Sequence, residues 1–138
     1  MLETQLTASL ATLPNFIAFF AVGIAISFVF TAIYSTVTPH HEFALIRNGN
    51  TAAAIAFGGA LIGFELPLAS AVAHSFSLID MVIWGIVALL VQLLAYLVAR
   101  VCDARLSTRI AGGDVSAGVL VATVSLGVGI LNAACITY

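Results

Sequence analysis

Lysine is missing from this chain of 138 residues, and its only basic side chains apart from histidine are four arginines. Charged residues make up 7% of it, against about 25% in a soluble domain. Such poverty of charge excludes a nucleic-acid interface, which needs clustered cations to neutralise phosphates. It also argues against a fold surrounded by water. Cysteine is nearly as scarce. Cys102 and Cys135 fall near the ends of different apolar segments, on opposite faces of a bilayer. A disulfide needs Cα atoms within about 7 Å, so the two cannot pair and read as small near-apolar side chains. No apolar segment alternates with polar residues as a membrane strand does. No phosphate-binding glycine loop follows a strand, and no nucleophile, base and acid share one side of the membrane. The sequence therefore does not read as an enzyme and implies no cofactor.

What is abundant is hydrophobicity, at 62% of the chain. Crossing the hydrocarbon core takes about 20 apolar residues, and four segments qualify: 14–36, 52–75, 79–99 and 114–136. Lipid offers no hydrogen bonds to the backbone, so all four are expected to be helices. The opening "MLETQLTASLATLP" lacks the positive start of a signal peptide, and the apolar run after it is too long for one. It reads as the approach to a retained transmembrane helix.

All four arginines lie in two connections, Arg47 after the first span and Arg100, Arg105 and Arg109 after the third. Positive charge accumulates on the cytoplasmic side, so both connections are expected inside and both termini outside. Tyr34 and Tyr96 then fall near the inner interface, and Trp84 and Tyr138 near the outer one, as aromatic belts do.

The segment "IRNGNTAAA" interrupts this apolar chain at 46–54. Gly49 suits the left-handed position that ends a helix, and Asn50 is a good N-cap for the next one. Gly113 and Asp114 repeat that pair in the second half. The same shift matches Ile46 with Ile110, Ala53 with Ala117, Gly63 with Gly127 and Ala69 with Ala133. The chain thus reads as two two-helix repeats, 1–76 and 77–138, in parallel about an axis along the membrane normal. Short interfacial helices are expected in both cytoplasmic loops. The first would begin at Thr38 with Pro39 in its first turn, and Phe43, Leu45, Ile46, Leu106 and Ile110 would face lipid or the bundle.

The blocks "TPHHEFALIRNGNTAAA", "FELPLASA" and "ILNAACITY" resemble the YjfL-like family of small bacterial inner-membrane proteins, a domain of unknown function. The resemblance covers nearly the whole chain. It implies four helices in the bacterial inner membrane and no established activity. It also implies an association with membrane-stress proteins of the phage-shock type and with ATP-grasp enzymes.

Three sets of residues bear on function. Gly59 and Gly63 form a small-residue pair that lets helices approach closely in lipid, and Thr123 and Gly127 hold the matching positions in the fourth span. Glu65 lies midway along the second span, where a carboxylate costs at least about 2.5 kcal/mol. By height, its expected partners are Ser125, Ser27 and Gln92. In the resembling family this position is usually apolar, so Glu65 carries no family-wide mechanism. Pro67 frees the Gly63 carbonyl from its helical bond, but Leu131 stands at the corresponding position, unlike the paired breaks of transporters. Finally, "HHE" at 40–42 and His74 lie on opposite sides of the membrane and do not form a metal site. The expectation is an all-α, self-associating, non-enzymatic membrane protein that offers its loop helices to a partner. The alternative is a small oligomeric channel or carrier with Glu65 in the pathway.

Overall fold

A computed structural model describes residues 1–137; Tyr138, expected at the outer interface, lies outside them. The chain is an all-α membrane protein with four helices long and apolar enough to span a bilayer. In order, the helices are α1 (Leu2–Ala11), α2 (Leu13–Val37), α3 (Glu42–Arg47), α4 (Thr51–His74), α5 (Leu78–Cys102), α6 (Leu106–Ala111) and α7 (Val115–Cys135). The spans expected from hydropathy match α2, α4, α5 and α7 to within a few residues.

The first span differs in length. Thr12, between α1 and α2, keeps helical dihedrals (φ −86°, ψ −12°), so the apolar rod runs from Leu2 to Val37, 36 residues in all. Pro14 sits in the first turn of α2, where its missing N–H does little harm. At 1.5 Å per residue the rod exceeds α4 or α5 by roughly 17 Å. Thr12, at the junction of α1 and α2, shares a groove with Ser75 at the end of α4. The whole of α1 therefore projects past the bundle, and none of its residues is buried.

Helices α4 and α7 run parallel and form the centre of the bundle. Their contact is built from residues with little or no side chain. A methyl group on Gly59 would collide with the backbone of Ala122, one on Gly118 with Ala52, and one on Gly63 with Ser125. Such close approach is how helices associate where lipid competes for every apolar side chain. Helix α5 packs against both, and α2 lies outermost against α4 and α5. An aromatic stack joins α2 to the core, with Phe30 parallel to Phe64 at 4.2 Å and Tyr34 edge-on to Tyr96 at 5.6 Å.

Both loop helices end alike. Gly49 (φ 82°) and Gly113 (φ 85°) occupy the left-handed region. The N–H groups of Asn50 and Asp114 close back on Leu45 and Arg109, and those of Gly49 and Gly113 on Ile46 and Ile110. Asn50 then caps α4 by accepting from Ala53 N–H at 2.9 Å, and Asp114 caps α7 by accepting from Ser116 N–H at 3.1 Å. At the opposite end Ser77 caps α5 by accepting from Asp80 N–H, while Asp80 accepts from Phe76 N–H, each at 3.2 Å.

Candidate functional site

The small-residue seam differs from the expected one on the α7 side. Gly59 and Gly63 are buried against α7, but Thr123 and Gly127 are exposed, and a Cβ on Gly127 would meet nothing within 4 Å. The α7 partners are Gly118, Ala122, Ser125 and Gly129. Matching positions by the repeat selects Gly127, whereas helical rotation brings Gly129, two residues on, to the seam.

Gln92 and Ser125 do meet. The Gln92 amide donates to the Ser125 carbonyl at 2.8 Å, fully buried, beside Gly63. Glu65 is not with them. It is half-buried on the far side of α4 and lines a groove of about 500 Å³ between α2 and α4, with Asn15, Phe19, Ser27, Leu68 and Ser75. Of its expected partners only Ser27 shares this groove, and the Ser27 hydroxyl donates to Gly23 O within its own helix. Near the ends of α4 and α7 the cross-helix bond comes from Ser70, whose hydroxyl reaches Ala133 O at 2.9 Å and Ile136 O at 3.1 Å.

At the arginine-bearing end the caps also join the two halves. The Asn50 amide donates to Ile110 O at 2.9 Å and Ala111 O at 3.2 Å, placing one donor on the open C-terminus of α6. Arg109 bridges Asp103 and Asp114, the latter at 2.8 Å. Hydrogen bonds from Ser116 and Arg109 hold the Asp114 carboxyl down at about 2, and Arg109 also lowers Asp103.

Between these caps and the bundle lies a polar cluster that patterning did not reveal. The segment read as the start of a loop helix is not helical before Glu42: Thr38 ends α2, and His41 stands at the N-cap position of α3. The turn folds His40 and Glu42 inward, leaving them 5% and 2% exposed. His40 Nδ1 lies 2.8 Å from the Ser107 hydroxyl of α6, and Nε2 lies 3.3 Å from a Glu42 carboxylate oxygen without completing a hydrogen bond. The Thr38 hydroxyl sits beside this carboxylate but gives its proton to Tyr34 O. Burial raises the Glu42 pKa, against the opposing influence of His40 and Thr38. Tyr34 and Tyr96, expected in an aromatic belt, are instead interior at this end of α2 and α5, at 0% and 1% exposure, with their rings edge-on. Leu106 and Ile110 of α6 are buried against the bundle, while Phe43 of α3 is exposed. A run of polar loop residues next to a span ordinarily reads as solvated. Its interior placement depends on α6, far along the chain, whose Ser107 meets His40.

The family described as Domain of Unknown Function (DUF350) matches residues 7–136. The chain is 43% identical over 129 residues to the UPF0719 inner membrane protein YjfL of Escherichia coli (strain K12), spanning 94% of this chain and 98% of that one. It is 26% identical over 81 residues to the UPF0719 transmembrane protein YshE of Bacillus subtilis (strain 168), covering 59% of this chain and 60% of that one. No solved structure matches it. With the match running through all four spans and both capped loops, the chain belongs to the DUF350 family.

Proposed function

We propose that this chain is a multi-pass inner-membrane protein that acts as a non-enzymatic, self-associating scaffold, with periplasmic termini and loop helices α3 and α6 facing a cytoplasmic partner. Membrane-stress proteins of the phage-shock type are the partner class. One observation carries the reading. Leu6, Leu10, Leu13, Ile17, Phe20 and Ile24 are all exposed, and their alternating four- and three-residue spacing lines them along one face of the α1–α2 rod. That is the pattern of a coiled-coil seam. Within the bilayer, lipid suffices to cover such a face. Along α1 the seam continues past the bundle, where apolar surface needs a protein neighbour. A second copy offers the complementary seam. The inner-membrane location is supported by the name of the Escherichia coli relative, and the orientation by the position of the arginines.

Replacing Leu6 and Leu10 together by Glu tests this. The substituted protein should insert and fold, because α1 packs against no other span, but should lose its oligomer by native mass measurement in detergent. A monomeric unaltered protein would contradict the reading.

A second reading keeps one observation in its favour. Glu65 and Ser27 line a groove that another copy could close, as a small oligomeric channel or carrier requires. Against it, the groove opens to the side of the bundle, and Gln92 and Ser125 lie on the far side of α4.

A further inference from the structure

The cluster at the arginine-bearing end holds five polar atoms with no hydrogen-bond partner among the described residues: the Tyr34 and Tyr96 hydroxyls, both Glu42 carboxylate oxygens and His40 Nε2. Each belongs to a side chain at least nine-tenths buried. Buried polar groups are nearly always paired, with protein or with ordered water, and five orphans around one buried carboxylate call for a guest. The Tyr34 and Tyr96 rings meet edge-on at 5.6 Å, and Thr38, beside the Glu42 carboxylate, hydrogen-bonds the Tyr34 carbonyl, so carboxylate and phenols lie at the same end of the bundle. They come from three segments: Tyr34 from α2, Glu42 from α3 and Tyr96 from α5.

The chemistry of the donors selects the guest. Carboxylate and phenol oxygens are hard ligands and suit hard cations rather than thiophilic or imidazole-seeking metals. Among the described residues, no group of three or more His, Cys, Asp or Glu could hold a metal ion. Glu42 is the carboxylate of this cluster among the described residues. Burying charge is costly unless it is balanced, and one carboxylate is balanced by one positive charge. Arg100 forms no ion pair with Glu42 among the described residues, and His40, whose Nε2 lies 3.3 Å from a Glu42 oxygen, supplies that charge only when protonated; a neutral His40 leaves it to a cation. The geometry points to a site for a single monovalent cation of the sodium or potassium kind, held by Glu42 and the phenol oxygens of Tyr34 and Tyr96. His40, tied to Ser107 of α6, is a positioning residue that fixes the carboxylate. An occupied site fastens the 38–42 turn and α6 to α2 and α5, so cation binding orders the surface presented by the loop helices.

The test uses the full chain purified in detergent, at fixed pH and constant ionic strength, with sodium chloride replaced stepwise by choline chloride. Potassium and calcium chloride serve as further series. The unfolding temperature should rise saturably with sodium or potassium, by several degrees. Glu42→Gln should abolish the rise, and Tyr96→Phe should raise the half-saturating concentration at least fivefold. If the Tyr96 hydroxyl were merely an unsatisfied group, Tyr96→Phe would stabilise equally in sodium and in choline. That pattern would overturn the proposal. Equal unfolding temperatures for the unaltered protein in all salts would do so too, as would a response to calcium alone or an undiminished sodium response in Glu42→Gln. Should Glu42→Gln fail to fold, Tyr34→Phe and Tyr96→Phe still decide the matter.

Discussion

The carbonyl oxygen of Gly63 lies against Gly129, so close that a methyl group on Gly129 would overlap it. Pro67, four residues on, has no N–H to offer that carbonyl. The oxygen that α4 cannot satisfy internally thus rests on the bare Cα of α7, where a weak C–H···O contact replaces the missing bond. Helix α4 stays continuous through Pro67 because its neighbour is a glycine.

Gly129→Ala should therefore cost about 1–3 kcal/mol, the usual range for overpacking, and Gly63→Ala about as much, since Ser125 backbone lies in its way. Gly127→Ala, with open space around it, should be neutral. Unfolding in detergent measured for the three variants checks this. Equal effects at Gly127 and Gly129 would mean that the seam runs elsewhere.

Most of the architecture was legible in the sequence. Length and hydropathy located four spans, and Gly49–Asn50 with Gly113–Asp114 announced both loop caps, because a left-handed glycine before an Asx residue has few other uses. The extent of the first helix was not legible, since Pro14 reads as a boundary and the polar residues of "ETQLTAS" disguise a helix. The partner face of α7 was misplaced because sequence shift carries no information about helix rotation. The His40–Glu42 cluster was hidden for a different reason: burial of a loop depends on elements such as Tyr96 and Ser107, far away in the chain.

Asn50 separates capping from cross-linking. Asn50→Ala loses the cap and the bonds to α6, and should cost about 1–2 kcal/mol. Asn50→Asp keeps an equally good cap but turns a carboxylate toward Ile110 O and Ala111 O, and so should also destabilise. Thermal unfolding of the two variants distinguishes the roles. An Asn50→Asp protein as stable as the unaltered one would show that the amide contacts contribute nothing.

The Arg109 bridge sets an acid limit. Asp114, held at about 2, and Asp103, also lowered, are stabilised in the folded state as carboxylates. Their contribution is complete above the ordinary carboxylate range near pH 4 and is lost as pH falls toward 2. Arg109→Gln should flatten the fall in unfolding temperature between about pH 5 and pH 2. An unchanged acid profile would remove the bridge from the account of stability.

Glu65 makes no hydrogen bond or ion pair among the described residues, so the fold should survive both Glu65→Gln and Glu65→Leu. The leucine variant should be as stable or more so, because a carboxyl at membrane depth is costly. Liposomes containing the unaltered protein should show no pH-dependent cation flux. Robust flux eliminated by Glu65→Gln would favour a channel or carrier over a scaffold.

Self-association along the α1–α2 seam is tested most directly by disulfide cross-linking in native membranes. Single cysteines are placed in a Cys102→Ser, Cys135→Ser background, which removes the two free thiols, both exposed. Cysteine at Leu6, Leu10, Leu13 or Ile17 should give covalent dimers in the rhythm of the seam. Cysteine at the exposed positions Thr4, Ile130 or Leu131 should give none. Dimers formed equally at all seven positions, or at none of the seam positions, would contradict association through this face.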